Sequence, residues 1–282
     1  MPRNAAGTLA TLALAAGLYA TQPAAAQTSD LYLTDYDSPT TWVVRGGQIV
    51  RQFDRSAVSG EDTGCTVGTT LRCVGTFPGN TGREYALTGT PLAATYPNAD
   101  WDSLYDGASD GTRNWSIAHN DTASGNALVE GNANWQGLQV RFVPGRQSSG
   151  VTWDARTASL WITNNSGGSD QVQRVDLAGN VLFEFPAVHD GGGYAIAWDP
   201  ADDTLWVPGA FSTAGSLFQY SKGGTLLQTV TVAGLGNVVG AEFGSGAAVE
   251  AVVPTLGGAA LAGFTLLMAL AGAYAARGAL RA

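Results

Sequence analysis

Short runs of alternating apolar and polar residues recur through the middle of the chain, separated by Gly, Asn and Asp. The clearest set is Val151–Trp153, Leu160–Thr163, Val172–Asp176 and Val181–Phe185. Runs this short, rich in β-branched and aromatic residues and bounded by turn formers, predict strands joined by tight hairpins. The set repeats. Gly150-Val151-Thr152-Trp153-Asp154 aligns with Ala195-Ile196-Ala197-Trp198-Asp199 at an offset of 45 residues, and Leu160-Trp161-Ile162 then meets Leu205-Trp206-Val207. Gly179 meets Gly224, and Val181-Leu182 meets Leu226-Leu227. The same offset carries Trp198 onto Phe243, and in the other direction Leu160-Trp161-Ile162 onto Trp115-Ser116-Ile117.

Four strands per ~40–45 residues is the blade of a β-propeller, a unit that buries its faces only by stacking on its neighbours. The fold expected is therefore all-β. Whole blades are placed at roughly 57–97, 101–143, 149–187 and 194–232. A fifth is assembled from both ends: Leu31-Tyr32-Leu33, Trp42-Val43-Val44 and Ile49-Val50 supply strands two to four, and Val238–Phe243 supplies strand one. Such a composite blade would close the ring and remove open sheet edges. In pattern, the repeats resemble the NHL-type and YVTN-type propellers of exported bacterial proteins, a likeness that implies architecture alone.

The two ends follow other rules. Residues 1–26 run from Arg3 through an apolar stretch, Thr8–Ala20, to Pro23 and Ala24-Ala25-Ala26, the order of a cleaved signal peptide. Residues 27–245 form the propeller, and 246–255 a linker. Residues 256–276 carry no charge and, at ~1.5 Å rise per residue, match a hydrocarbon core of ~30 Å. Arg277 and Arg281 in the tail 277–282 favour a cytoplasmic end, with the propeller outside.

Val253-Pro254-Thr255-Leu256, followed by this apolar stretch and basic end, resembles the IPTL-CTERM sorting domain of Gram-negative bacteria, a relative of the PEP-CTERM signals handled by exosortases. Gly257-Gly258 stands where that family usually carries Trp-Gly. The resemblance implies an exosortase-like sorting enzyme as partner and anchoring in the inner membrane through the C-terminal helix. Cleavage near the motif would then transfer the protein to the periplasmic face, cell surface or matrix.

Charge narrows the partners. The chain carries −9 overall, and Arg3, Arg277 and Arg281 lie in the terminal segments, so the middle is more negative still. Such a surface repels phosphate backbones and argues against nucleic acid.

Candidate chemistry is sparse. Cys65 and Cys73 are the only cysteines, at a spacing that suits a disulfide across two adjacent strands, whereas a metal pair would need further ligands nearby. Asp154 and Asp199 follow Trp in equivalent repeats and read as hairpin caps. His119 and His189, the only histidines, read as loop residues. His189-Asp190, in a connection between blades, is the first binding candidate. Trp101 and Trp135, placed near loops, are candidates for stacking on sugar rings. The acidic stretch Asp100–Gly111 lacks the spacing of a calcium loop and reads as turns. No nucleophile elbow or phosphate-cradling loop is present, and neither a metal nor a cofactor is expected. The sequence therefore points to a surface or matrix protein whose propeller loops bind glycan or protein. The alternative is a propeller enzyme of lyase, lactonase or glycosidase type.

Overall fold

The computed structural model describes residues 27–56, 60–121, 125–164, 170–187 and 193–244. The proposed signal segment, most of the linker with Val253–Leu256, the apolar segment 256–276 and His189-Asp190 lie outside the described residues. Among those described, no helix is long and apolar enough to cross a membrane.

Twenty strands form five antiparallel four-stranded sheets, arranged as a five-bladed β-propeller. Blade 1 contains β1 (Leu31–Asp35), β2 (Thr40–Arg45) and β3 (Gln48–Asp54), with β20 (Val238–Phe243) as its innermost strand. Blade 2 is β4 (Gly64–Val67), β5 (Thr70–Val74), β6 (Thr81–Ala86) and β7 (Pro91–Pro97). Blade 3 is β8 (Ala108–Ser109), β9 (Arg113–Asp121), β10 (Gly125–Asn132) and β11 (Gln139–Phe142). Blade 4 is β12 (Ser148–Asp154), β13 (Ser159–Asn164), β14 (Gln171–Val175) and β15 (Val181–Pro186). Blade 5 is β16 (Ala197–Asp199), β17 (Thr204–Pro208), β18 (Ser216–Ser221) and β19 (Leu226–Thr231). The composite blade closes as the sequence predicts, with Leu31 opposite Phe243 and Leu33 opposite Ala241.

Alternation explains the packing. On β13, Leu160 and Ile162 turn towards blade 3, where they meet Trp115, Ile117 and Val151. Trp161, between them, turns towards blade 5 and meets Ile196, Leu205 and Val207. Each blade thus contributes to two cores, which no isolated sheet could fill. Trp206 repeats the role at the junction of blades 5 and 1. Blade 3 departs from the 45-residue offset: Trp115 faces blade 4, as Trp161 faces blade 5, so its structural counterpart is Trp161 and not Leu160. A strand shifted by one residue exchanges its faces, and the facing therefore fixes the alignment.

The repeated hairpin glycines also have a packing reason. Gly179 and Gly224 adopt φ of +87° and +86°. A Cβ added there would lie 2.7 Å from the Phe142 ring and 2.6 Å from Cβ of Phe185, each on the outer strand of the preceding blade. Cys65 and Cys73 face one another on β4 and β5 and form a buried disulfide, with Cα atoms 4.0 Å apart. This bond points to an oxidising compartment.

An antiparallel four-stranded blade places its connections on two opposite faces. We term upper the face carrying the hairpins between second and third strands and the connections between blades. The lower face carries the remaining hairpins.

Candidate binding face

On the channel axis, Asp106 is fully buried just before β8. Its Oδ1 accepts the amides of Gly107 at 3.0 Å and Ala241 at 2.9 Å, and its Oδ2 those of Val151 at 2.9 Å and Ile196 at 3.0 Å. Burial pushes this carboxyl well above its usual range and the four amides pull the other way. Each oxygen already accepts two N–H groups, so protonation would displace one of them; the arrangement suits the carboxylate form. Residues from blades 3, 4, 5 and 1 converge on this one side chain. The sequence reading placed Asp106 among surface turn aspartates. It is instead the axial fastener of the ring.

Glu242, also enclosed, accepts a hydrogen bond from Thr152 Oγ1 at 3.0 Å, reaching from blade 1 to blade 4. Burial, and then the charge of Asp106, push its carboxyl well above the usual range.

Above the axis lies a closed ring of aromatic side chains. Tyr36 on the β1–β2 hairpin contacts Tyr105, just before Asp106, with centroids 5.8 Å apart. Tyr105 meets His119 of β9 at 5.7 Å, His119 meets Tyr194 of the blade 4–5 connection at 5.9 Å, and Tyr194 meets Phe211 at 5.3 Å. Phe211 returns to Tyr36 at 6.2 Å. Edge-on geometry predominates, as the ring quadrupoles favour. Phe211, on a short 3-10 turn (Phe211–Thr213), is 50% exposed, while Tyr36 and Tyr194 are half-buried.

His119 corrects an expectation. It is a buried strand residue and not part of a loop. Its Nδ1 lies 3.1 Å from the Ser148 carbonyl, and its Nε2 lies 3.2 Å from Gln147 Nε2. Burial lowers its pKa. The contacts fit a neutral ring that donates from Nδ1 and accepts at Nε2.

Beside Tyr36, a cavity of about 250 Å³ opens between the β1–β2 hairpin and the blade 1–2 connection, reaching Asp35, Asp37, Arg55, Glu61 and Asp62. Arg55 and Asp62, each 1% exposed, form an ion pair beneath it, and Tyr85 donates its hydroxyl to Asp62 Oδ2 at 3.1 Å. Burial pushes the Asp62 carboxyl up to about 6 against the pull of Arg55.

The two tryptophan candidates are not brought together. Trp101 lies in the blade 2–3 connection on the upper face, half-buried against the blade 2–3 core. Trp135 is 3% exposed in the β10–β11 hairpin on the lower face and donates Nε1–H to the Arg72 carbonyl at 3.2 Å. Its ring fills the core between blades 2 and 3, so the stacking role does not fit. Asp154 and Asp199 cap their hairpins as expected, accepting the amides of Arg156 and Ala201 at 3.0 and 2.9 Å. Among the described residues no cluster of ligating side chains is arranged for a metal.

No family model matches the chain, and no curated protein matches it in sequence. Solved structures do. A chain of a nidogen/laminin complex superposes with a TM-score of 0.51 at 9% identity, covering 76% of this chain and 98% of that one. A protein of unknown function from Desulfotomaculum acetoxidans follows at 0.45, with 11% identity and coverages of 74% and 68%. A chain of a mitotic checkpoint complex gives 0.41, with 14% identity and coverages of 69% and 60%. The likeness to the nidogen/laminin chain is one of fold alone.

Proposed function

We propose that the protein is exported, sorted through its C-terminal segment to the cell surface or matrix, and binds glycan through the upper face of its propeller without catalysis. The aromatic ring is the observation that carries this reading. Apolar ring faces with polar groups at their margin suit the alternating C–H and hydroxyl surfaces of a sugar. The ring is assembled from the β1–β2 hairpin, β9, the β17–β18 connection and two connections between blades, a placement that only the closed propeller produces. Export is supported by the signal-type N-terminus, the disulfide and the sorting-type tail.

An enzyme of lyase, lactonase or glycosidase type would place two available carboxylates about one reacting centre. The axial pair does not suit that role, because both oxygens of Asp106 are occupied by amides. Screening the full-length protein against a glycan array tests the proposal. Binding is expected for the wild type and lost for Phe211→Ala. Turnover of a bound glycan, or no binding to any, would refute the reading.

A further inference from the structure

The cavity beside Tyr36 contains two buried groups of opposite character that lack partners. Asp35 is 6% exposed, and its Oδ1 has no hydrogen-bond partner, although Oδ2 accepts from Ser38. Arg55 is 1% exposed, and its Nε likewise has none. A buried acceptor or donor left unsatisfied costs ~1–3 kcal/mol, and more when charged, so such atoms mark places where a ligand brings compensation.

Charge decides which ligand. Asp37 and Glu61 are exposed at the same cavity, and neither they nor Asp35 form an ion pair among the described residues. The positive charge of Arg55 is already engaged by Asp62. On the lower face the carboxylates are matched instead: Asp30 with Arg45, Asp110 with Arg113, and Asp154 and Asp203 with Lys222. The upper cavity therefore carries uncompensated negative charge beside an aromatic ring, and it is continuous with the aromatic ring through Tyr36.

Building on the glycan-binding reading, we propose that this cavity is a subsite for an amino sugar with a free, protonated amine. The ammonium would donate to Asp35 Oδ1, with Asp37 and Glu61 as further anionic neighbours, while a ring hydroxyl accepts from Arg55 Nε. Tyr36 places the sugar face in line with the aromatic ring. Uronic-acid or phosphate-bearing glycans are disfavoured by the same carboxylates.

The experiment compares a glucosamine hexamer with its fully N-acetylated counterpart, titrated into full-length protein at moderate salt. The two share a backbone and differ in charge. The glucosamine hexamer should bind about tenfold more tightly or better, the scale of one charge-assisted hydrogen bond. Asp35→Asn should abolish the preference, whereas Asp176→Asn on the lower face should retain it.

Equal binding of the two hexamers would overturn the subsite while leaving glycan binding in place. Failure of both to bind, together with an empty glycan array, would overturn the underlying reading as well. Equal losses in Asp35→Asn and Asp176→Asn would reduce the effect to general charge attraction and overturn the subsite. So would displacement of the hexamer by trilysine at matched amine concentration. Circular dichroism of Asp35→Asn distinguishes a folded variant; should it unfold, Asp37→Asn replaces it, with the same loss of preference expected.

Discussion

Asp106 accepts the amide of Ala241 at 2.9 Å, across 135 residues of chain, and so joins the middle of the sequence to the strand that closes the ring. With Val151 and Ile196 on its other oxygen, the same carboxylate holds blades 4 and 5 at the axis. Asparagine at this position would turn an NH₂ group towards two amide donors. Asp106→Asn is expected to cost ~3–5 kcal/mol, the scale of breaking a buried charged network. For a domain of this size the melting temperature should fall by on the order of 10 °C. Calorimetry checks this, and an unchanged melting temperature would deny the residue its role.

Arg55 and Asp62 offer a pH-resolved experiment. The Asp62 carboxyl is raised to about 6 in the fold, above its unfolded value. Its contribution to stability is therefore fully present at acid pH and declines as pH rises through that value. Arg55→Met removes the charge that opposes the rise. The variant should lose ~3–5 kcal/mol at pH 8 and regain part of it at pH 5. Urea midpoints at the two pH values supply the comparison, and a gap no wider than in the wild type would contradict the pairing.

Reduction of the Cys65–Cys73 bridge should lower stability by ~2–3 kcal/mol through the entropy of a short loop. The bridge lies on β4 and β5, away from the aromatic ring, so ligand affinity at 25 °C should stay within about twofold, under 0.5 kcal/mol. Melting curves and titrations with and without dithiothreitol give both quantities.

Truncation before Val253 addresses the export route. The intact protein is expected to fractionate with membrane or surface, and the truncated one with periplasm or medium. Identical fractionation of the two would remove the support for sorting.

Much of this architecture was legible in the sequence because the interior imposes it repeatedly. Two cores per blade demand alternation on every strand, and Gly179 and Gly224 recur because a phenylalanine of the preceding blade lies against each. The closing blade was legible for the same reason, since Leu31 and Val238 carry the pattern of the missing strands. The slip at Trp115 was not, because a one-residue shift changes facing without disturbing composition. Asp106 was hidden by its neighbours: in a run of Asp and Gly it looks like a turn residue, and only the convergence of three other blades reveals its role. The aromatic ring was hidden differently. Tyr36, Tyr105, His119, Tyr194 and Phe211 occupy non-equivalent places in the repeat and meet only when the ring closes. Trp135 misled because its hairpin folds the indole inward.

The most direct measurement compares two exposed phenylalanines. Phe211 belongs to the aromatic ring on the upper face, while Phe183, 38% exposed, lies on the outer strand of blade 4. Affinity for the glycan selected on the array should fall about tenfold or more in Phe211→Ala, the scale of a stacked aromatic contact with its buried area. In Phe183→Ala it should stay within about twofold. Equal affinities in the two variants, or a larger loss in Phe183→Ala, would contradict the assignment of the upper face as the binding surface.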